Sequence, residues 1–148
     1  MEKNLNKIIV HTDGGSRGNP GPSAIGVVIN SDVTGKKEYG EFLGVATNNE
    51  AEYKAVIFAL KKIKQLVGSK KSGEAIVEFH IDSELVERQL NGEYKIKEEN
   101  IQKLFLEVWN LRLDFGKVIF KHVFREQNEN ADRIVNQILD KETSKLDI

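Results

Sequence analysis

Four carboxylates stand out by their placement along the chain. Asp13 follows the β-branched run Ile8, Ile9 and Val10, and Gly14, Gly15, Gly18, Pro20 and Gly21 after it read as a loop whose backbone is open to close approach. Glu52 lies four, seven and eleven positions before Val56, Ala59 and Ile63, on the inward stripe of a helix, so an acid points toward the core. Asp82 closes an alternating run, AIVEFHID, and Asp132 sits near the start of the last helix. Taken singly, each has an ordinary role: a turn for Asp13, helix N-termini for Asp82 and Asp132, a lysine partner for Glu52. Taken together, four carboxylates in a low dielectric repel one another, and a divalent cation removes the conflict.

Oxygen-only ligation selects hard cations, Mg²⁺ or Mn²⁺, and the chain has no cysteine to offer a softer metal. Two such ions about 3.5–4 Å apart activate a water and stabilise the leaving oxygen of an in-line phosphoryl displacement. The chemistry therefore points toward a phosphodiester.

The elements that must position these acids follow from periodicity and caps. Residues 8–10, 25–30 and 39–45 read as three strands, the last two joined by a turn over 32–37, and short connections make them an antiparallel meander. Thr47 and Glu50 form a capping box, so a helix starts there and runs to about residue 67, where Gly68 and Ser69 end it. A strand over 75–82 leads to Ser83, a helix cap, and a short helix to residue 90 with Gly92 as its stop. After a loop over 93–97, Ile101, Leu104, Phe105 and Val108 mark another helix that ends near Phe115 and Gly116. Residues 118–124 form the last strand, and a polar connection over 125–128 enters a final helix carrying Ala131, Ile134, Val135 and Ile138. From Lys141 the periodicity fades, and the tail is expected to fray. The order β-β-β-α-β-α-α-β-α predicts an α/β fold: a mixed five-stranded sheet, three antiparallel strands then parallel ones, flanked by helices. Asp13 and Asp82 then lie at the carboxyl ends of parallel strands, where such sheets gather ligands.

At 148 residues the chain fits one domain, residues 1–148. A net charge of −1 argues against a general polyanion binder without excluding nucleic acid. Lys61, Lys62, Lys64, Lys70 and Lys71, and Lys95 with Lys97, read as solvated faces. No run approaches the ~18 apolar residues of a membrane helix, and MEKNLNK lacks the apolar core of a signal peptide, so a soluble, cytoplasmic protein is expected. The helical stripes leave no unsatisfied apolar face, which predicts a monomer.

HTDGGSRGNPGP, TNNEAEY, HIDSE and REQNENAD occur in the order and approximate spacing of the four motif blocks of type 1 ribonuclease H, and together span nearly the whole chain. The sequence resembles the compact bacterial and archaeal form of that family, endonucleases that hydrolyse the RNA strand of RNA/DNA hybrids. The resemblance implies that Asp13, Glu52, Asp82 and Asp132 are the catalytic acids that bind two metal ions, with Asp13 shared between them. It places Glu52 near a ribose 2′-hydroxyl, the group by which a protein tells RNA from DNA. It places Asn19, Asn48 and Asn49 in the minor groove and Ser16 against the hybrid, with Gly14 and the other loop glycines admitting its backbone. Thr47 matches a residue that binds a DNA-strand phosphate, a role its backbone amide could share with capping.

Three positions depart from the family pattern. Glu84 stands where many relatives carry glutamine, and a carboxylate at that substrate-facing position accepts but does not donate hydrogen bonds. The basic, tryptophan-rich handle of the well-known bacterial enzymes is reduced to GEYKIK, which leaves Tyr94, Lys95 and Lys97 in its place. A loop histidine that assists proton transfer or product release in many members has two candidates here. His122 has the spacing, ten residues before Asp132, but lies inside VIFKHVF; Arg125 has the loop position and is preferred, since a strand histidine is expected to be buried. His11 and His80 read as structural neighbours of the acids. The sequence thus predicts a Mg²⁺- or Mn²⁺-dependent hybrid endonuclease leaving 3′-hydroxyl and 5′-phosphate ends. Its alternatives are another nuclease of the same fold acting on DNA, a non-catalytic hybrid-binding module, or a phosphatase for small phosphoesters.

Overall fold

The computed structural model describes residues 7–146. Strands β1 (Lys7–Ser16), β2 (Gly21–Ser31) and β3 (Gly35–Ala46) form the meander, followed by α1 (Asn48–Glu74), β4 (Ile76–Ile81), α2 (Glu84–Leu90), α3 (Glu99–Arg112), β5 (Lys117–His122) and α4 (Glu129–Leu146). The sheet order is β3-β2-β1-β4-β5. β1, β2 and β3 pair antiparallel, whereas β4 runs parallel to both β1 and β5, as the alternation of strands and helices requires.

Alternation along each strand sorts its side chains between two faces. Ile8, Val10, Ile25, Val27, Ile29, Val77 and Phe79 pack under α1 and its neighbours, against Tyr53, Val56, Leu60 and Ile63. On the other face, Ala24 and Val28 meet Ala131, Ile134, Val135 and Leu139 of α4. β2 is therefore buried on both sides, which explains its nearly unbroken apolar run. Among the described residues no helix is long and apolar enough to cross a membrane.

Four local expectations are corrected. Gly14 and Gly15 belong to β1, paired with Ile25 and Ala24, and Gly21 opens β2, so the connection is only residues 17–20. The ladder satisfies backbone groups that a loop would leave to water, and this outweighs glycine's weak strand preference. Gly68, with φ 86°, kinks α1 rather than ending it, and the helix resumes to Glu74, where buried Ser72 receives the Gly116 N–H at 3.2 Å. β5 ends at His122; Val123 still donates to the Ile81 carbonyl at 3.0 Å, and Phe124 then leads into a 3-10 turn over Arg125–Gln127. The helical pattern does not stop at Lys141: α4 continues to Leu146, and the Arg17 guanidinium donates to Asp140 at 2.5 Å and to Thr143 at 3.4 Å. Residues 147–148 lie outside the described residues.

One row of the sheet sets where α4 can sit. Asp13 pairs with Gly26, and Gly26 pairs with Gly40. A Cβ on Gly26 would stand 2.2 Å from the Ala131 carbonyl oxygen, and one on Gly40 would stand 2.5 Å from both Ile134 and Ile138. The two glycines are the seat that brings α4, and Asp132 with it, down beside Asp13. Gly26→Ala should destabilise the fold by about 1–3 kcal/mol through overpacking. Gly73→Ala, where an added Cβ meets nothing within 4 Å, should be neutral or stabilising. Thermal melts of the two variants check the contrast.

Candidate active site

The cleft at the end of β1 is built from four elements, each ending or starting there for a local reason. β1 and β4 pair in parallel as far as Thr12 and Ile81, and Asp13 and Asp82 are the next residues on each strand. The Asp82 backbone then leaves the sheet, because the Ser83 hydroxyl accepts from the Val86 N–H and caps α2. α1 starts at the capping box, with Glu50 N–H donating to the Thr47 hydroxyl at 3.1 Å and Thr47 N–H donating to the Glu50 carboxylate at 2.8 Å. That start points Glu52 inward, where it is 7 % exposed. The Gly14 N–H donates to Glu52 Oε1 at 2.6 Å and to Asp13 Oδ1 at 3.0 Å. Here glycine is obligatory, since a Cβ would stand 2.3 Å from the Ala51 carbonyl carbon of α1.

One carboxylate oxygen each from Asp13, Glu52 and Asp82 lie within 4.8 Å of one another. Asp132 is outside this trio but lines the same cleft, and its charge bears on Asp13. Burial first, then the charges of Asp82 and Asp132, push Asp13 up to about 8. Burial, followed by the charges of Asp13 and Asp82, raises Glu52 well above the carboxylate range, against the pull of the Gly14 N–H. Among the described residues none of the four acids has an ion pair with a lysine or arginine. Glu78, on the neighbouring stretch of β4, shows what such partners do. Burial pushes it up, yet hydrogen bonds from His80, Lys7 and Lys121 together hold it at about 2. The cleft thus holds closely spaced, oxygen-only donors that form no ion pair with a cationic side chain among the described residues, a set that fits a hard divalent cation.

The cleft has a volume of about 410 Å³ and is lined by the four acids together with Gly14, Ser16, Asn48, Asn49 and Arg125. Ser16 N–H donates to Asn48 Oδ1 at 2.8 Å, and Asn48 N–H donates to Asn19 Oδ1 at 3.0 Å, so these residues brace the 17–20 loop against the start of α1. The Ser16 hydroxyl donates to the Gly18 and Ala46 carbonyls. The Thr47 amide, expected to be shared with a phosphate, donates to the Glu50 carboxylate. Glu84 is exposed at the start of α2, 3.7 Å from the Arg88 guanidinium and away from the cleft lining. His122 is not buried as expected: it is the exposed last residue of β5, with its ring 5.8 Å from that of Phe124. The His11 and His80 rings meet edge to face at 4.6 Å, and His80 bonds Glu78 at 2.7 Å.

Several lining residues escape sequence reasoning. Arg17, Ser83, Val135, Asn136 and Leu139 complete the walls, the last three because α4 continues past Asp132 along the cleft. The signal for α4's position was the glycine at 26 inside an apolar strand, a position where glycine marks close backbone approach.

A family described as reverse transcriptase-like matches residues 11–138. The ribonuclease HI of Halobacterium salinarum is 36 % identical over 135 residues, covering 90 % of this chain and 65 % of that protein. A bifunctional protein of Mycobacterium tuberculosis is 35 % identical over 136 residues, covering 90 % of this chain and 36 % of that protein. The chain therefore spans between about a third and two thirds of these curated relatives. Among solved structures, LC11 ribonuclease H1 in complex with an RNA/DNA hybrid superposes with a TM-score of 0.85 at 40 % identity, covering 92 % of this chain and 99 % of that one. Ribonuclease H1 of Halobacterium salinarum superposes with a TM-score of 0.82 at 36 % identity, covering 91 % and 98 %.

The raised acids make metal-free stability depend on pH in a definite direction. Between about pH 4 and about pH 8 the folded chain keeps a proton on Asp13 that the unfolded chain has released, so stability falls as pH rises through that window. Glu52 acts in the same sense. Glu78 acts oppositely and over a lower range, contributing stability that is lost as pH falls toward about 2. Thermal melts from about pH 5 to about pH 8 in EDTA should show Tm declining, and Mg²⁺ should raise Tm more at the alkaline end. Asp13→Asn should melt above the wild type in EDTA at about pH 8 and gain little from Mg²⁺.

Proposed function

This chain belongs to the type 1 ribonuclease H family, and from that premise we propose that it is a divalent-metal-dependent endonuclease that hydrolyses the RNA strand of RNA/DNA hybrids. The observation that carries the reading is the trio of carboxylate oxygens within 4.8 Å at the ends of β1, β4 and the first turns of α1, without a cationic partner among the described residues. Asp13, Glu52 and Asp82 would hold the cation, with Asp132 as the nearest further carboxylate for a second. Mg²⁺ or Mn²⁺ ions, when bound, lower the pKa of the attacking water and stabilise the oxygen that leaves.

The protein's own residues bind, orient and neutralise. Water attacks phosphorus, the P–O3′ bond breaks, and the departing 3′-oxygen takes up a proton, which leaves 3′-hydroxyl and 5′-phosphate ends. Asn19, Asn48, Asn49 and Ser16 are supported as minor-groove contacts by their common place at the end of β1, the 17–20 loop and the start of α1, with Ser16, Asn48 and Asn19 braced by hydrogen bonds. Glu52, deepest in the cleft, is the acid suited to sense a 2′-hydroxyl. Arg125 lines the cleft, and its guanidinium can pair with phosphate oxygens but cannot give up a proton at neutral pH. It is therefore assigned to phosphate neutralisation and product release. With no basic handle, the exposed residues Tyr94, Lys95 and Lys97 supply what charge and stacking the α2–α3 loop offers, and Arg88 packs over the Tyr94 ring at 5.6 Å. All four acids come from one chain, which suits a monomer, and the absence of cysteine suits a reducing cytoplasm.

End-labelled hybrid, RNA duplex and DNA duplex, each with Mg²⁺, Mn²⁺ or EDTA, test the reading. Cutting confined to the RNA of the hybrid and abolished by EDTA is expected; intact hybrid, or a preference for DNA, would falsify it. Asp13→Asn should lose all measurable turnover. Arg125→Ala should lower kcat by about 10–100-fold, whereas His122→Ala should change it little and leave the pH profile unaltered. Loss of a limb near the histidine range in His122→Ala would instead assign the proton to His122.

A further inference from the structure

We infer that Asn128 is a positioning residue that holds Asp82 and Asp132 in one constellation, an inference that rests on the metal-binding reading of the four acids. Asn128 is 1 % exposed, between the turn that carries Arg125 and the helix that carries Asp132. Its carbonyl accepts the Asp132 N–H at 3.1 Å, which makes it the N-terminal cap position of α4. An asparagine there ordinarily turns its side-chain oxygen onto the free N–H groups of its own helix, as Thr47 and Ser83 do for α1 and α2.

Asn128 does something else. Its Nδ2 donates to the Thr12 carbonyl at 2.8 Å and to Asp82 Oδ2 at 2.9 Å. Both partners are acceptors only, so the amide cannot be turned over without setting oxygen against oxygen. Its Oδ1 is left buried with no partner among the described residues, an arrangement that is destabilising by itself and forgoes the cap. The side chain is thus committed to the strand ends rather than to α4. One residue thereby bonds the main chain next to Asp13, the carboxylate of Asp82, the backbone of Asp132 and, through its own N–H at 2.9 Å, the Arg125 carbonyl. With one oxygen tied to Nδ2, Asp82 cannot swing away from Asp13 and Glu52 to relieve their repulsion.

The test measures Mn²⁺ affinity by calorimetry, hybrid affinity in EDTA, Mg²⁺ dependence of hybrid cleavage, and Tm, all on the full chain. Asn128→Ala should weaken Mn²⁺ binding by about 10–100-fold, the range seen when a group orienting a metal ligand is removed. Asn128→Asp, equal in shape but without the donor, should weaken it further. Asn128→Ser, whose hydroxyl can still donate one bond, should recover part of the loss. Hybrid affinity in EDTA should be unchanged throughout. Val108→Ala, which opens the core under α3, should lower Tm without moving Mn²⁺ affinity. Wild-type Mn²⁺ affinity in Asn128→Asp, or an equal loss in Val108→Ala, overturns the inference. A wild-type chain that binds Mn²⁺ yet leaves hybrid uncut sinks the proposed reaction alone, since the affinity series still decides the role of Asn128. A wild-type chain that binds no Mn²⁺ overturns both.

Discussion

The crowding of carboxylates at the end of β1 and β4 is the constraint around which the rest is arranged. Asp13 and Glu52 are both raised far out of the ordinary carboxylate range, chiefly by burial and then by their acidic neighbours. Keeping both acids charged in the folded chain is therefore unfavourable, and ordinary packing must offset that electrostatic cost. Glu78 shows that the sheet can neutralise a buried acid when stability is the only demand, by surrounding it with Lys7, Lys121 and His80. Among the described residues none of the four acids forms such a pair, although Arg17 and Arg125 line the same cleft. A site that must accept a cation is left without one of its own, which is the usual conflict between stability and activity.

Holding like charges together requires that nothing near them can relax. Gly14 permits α1 to approach β1 until the Glu52 carboxylate reaches the Gly14 N–H, and that N–H is shared with Asp13. Gly26 and Gly40 permit α4 to sink onto the opposite face and deliver Asp132. Asn128 ties the strand ends to the start of α4. Two helices on opposite faces and two strands are each fixed against the same point, α1 through its backbone at Ala51 and α4 through the Ala131 carbonyl and the Ile134 and Ile138 side chains.

The loop at the rim of the cleft is held more loosely. The 17–20 loop is tethered on one side by the bonds among Ser16, Asn19 and Asn48, and on the other by the Arg17 pair with Asp140. An exposed ion pair of this kind contributes about 0–1 kcal/mol, so the loop can exchange internal partners for those of a nucleic acid. The cleft beside this loop is lined mostly by polar and charged side chains.

What the sequence by itself determined was whatever short-range physics controls. The element order, the capping box at Thr47, the cap at Ser83 and the inward face of Glu52 all follow from periodicity and from hydrogen bonds spanning three residues. The same logic misplaced features that depend on partners far along the chain. Gly14 and Gly15 look like loop but pair with β2; the periodicity fades from Lys141 but Thr143 is bonded to Arg17, 126 positions away; His122 looks interior but stands where the sheet ends. Only the tertiary structure decided that α4 would settle on a glycine row, and that Asn128 would forgo its own helix for Thr12 and Asp82, 116 and 46 positions away. The reason is physical: a local pattern fixes which way a side chain faces, whereas the distance between two acids is set by how closely whole elements can approach.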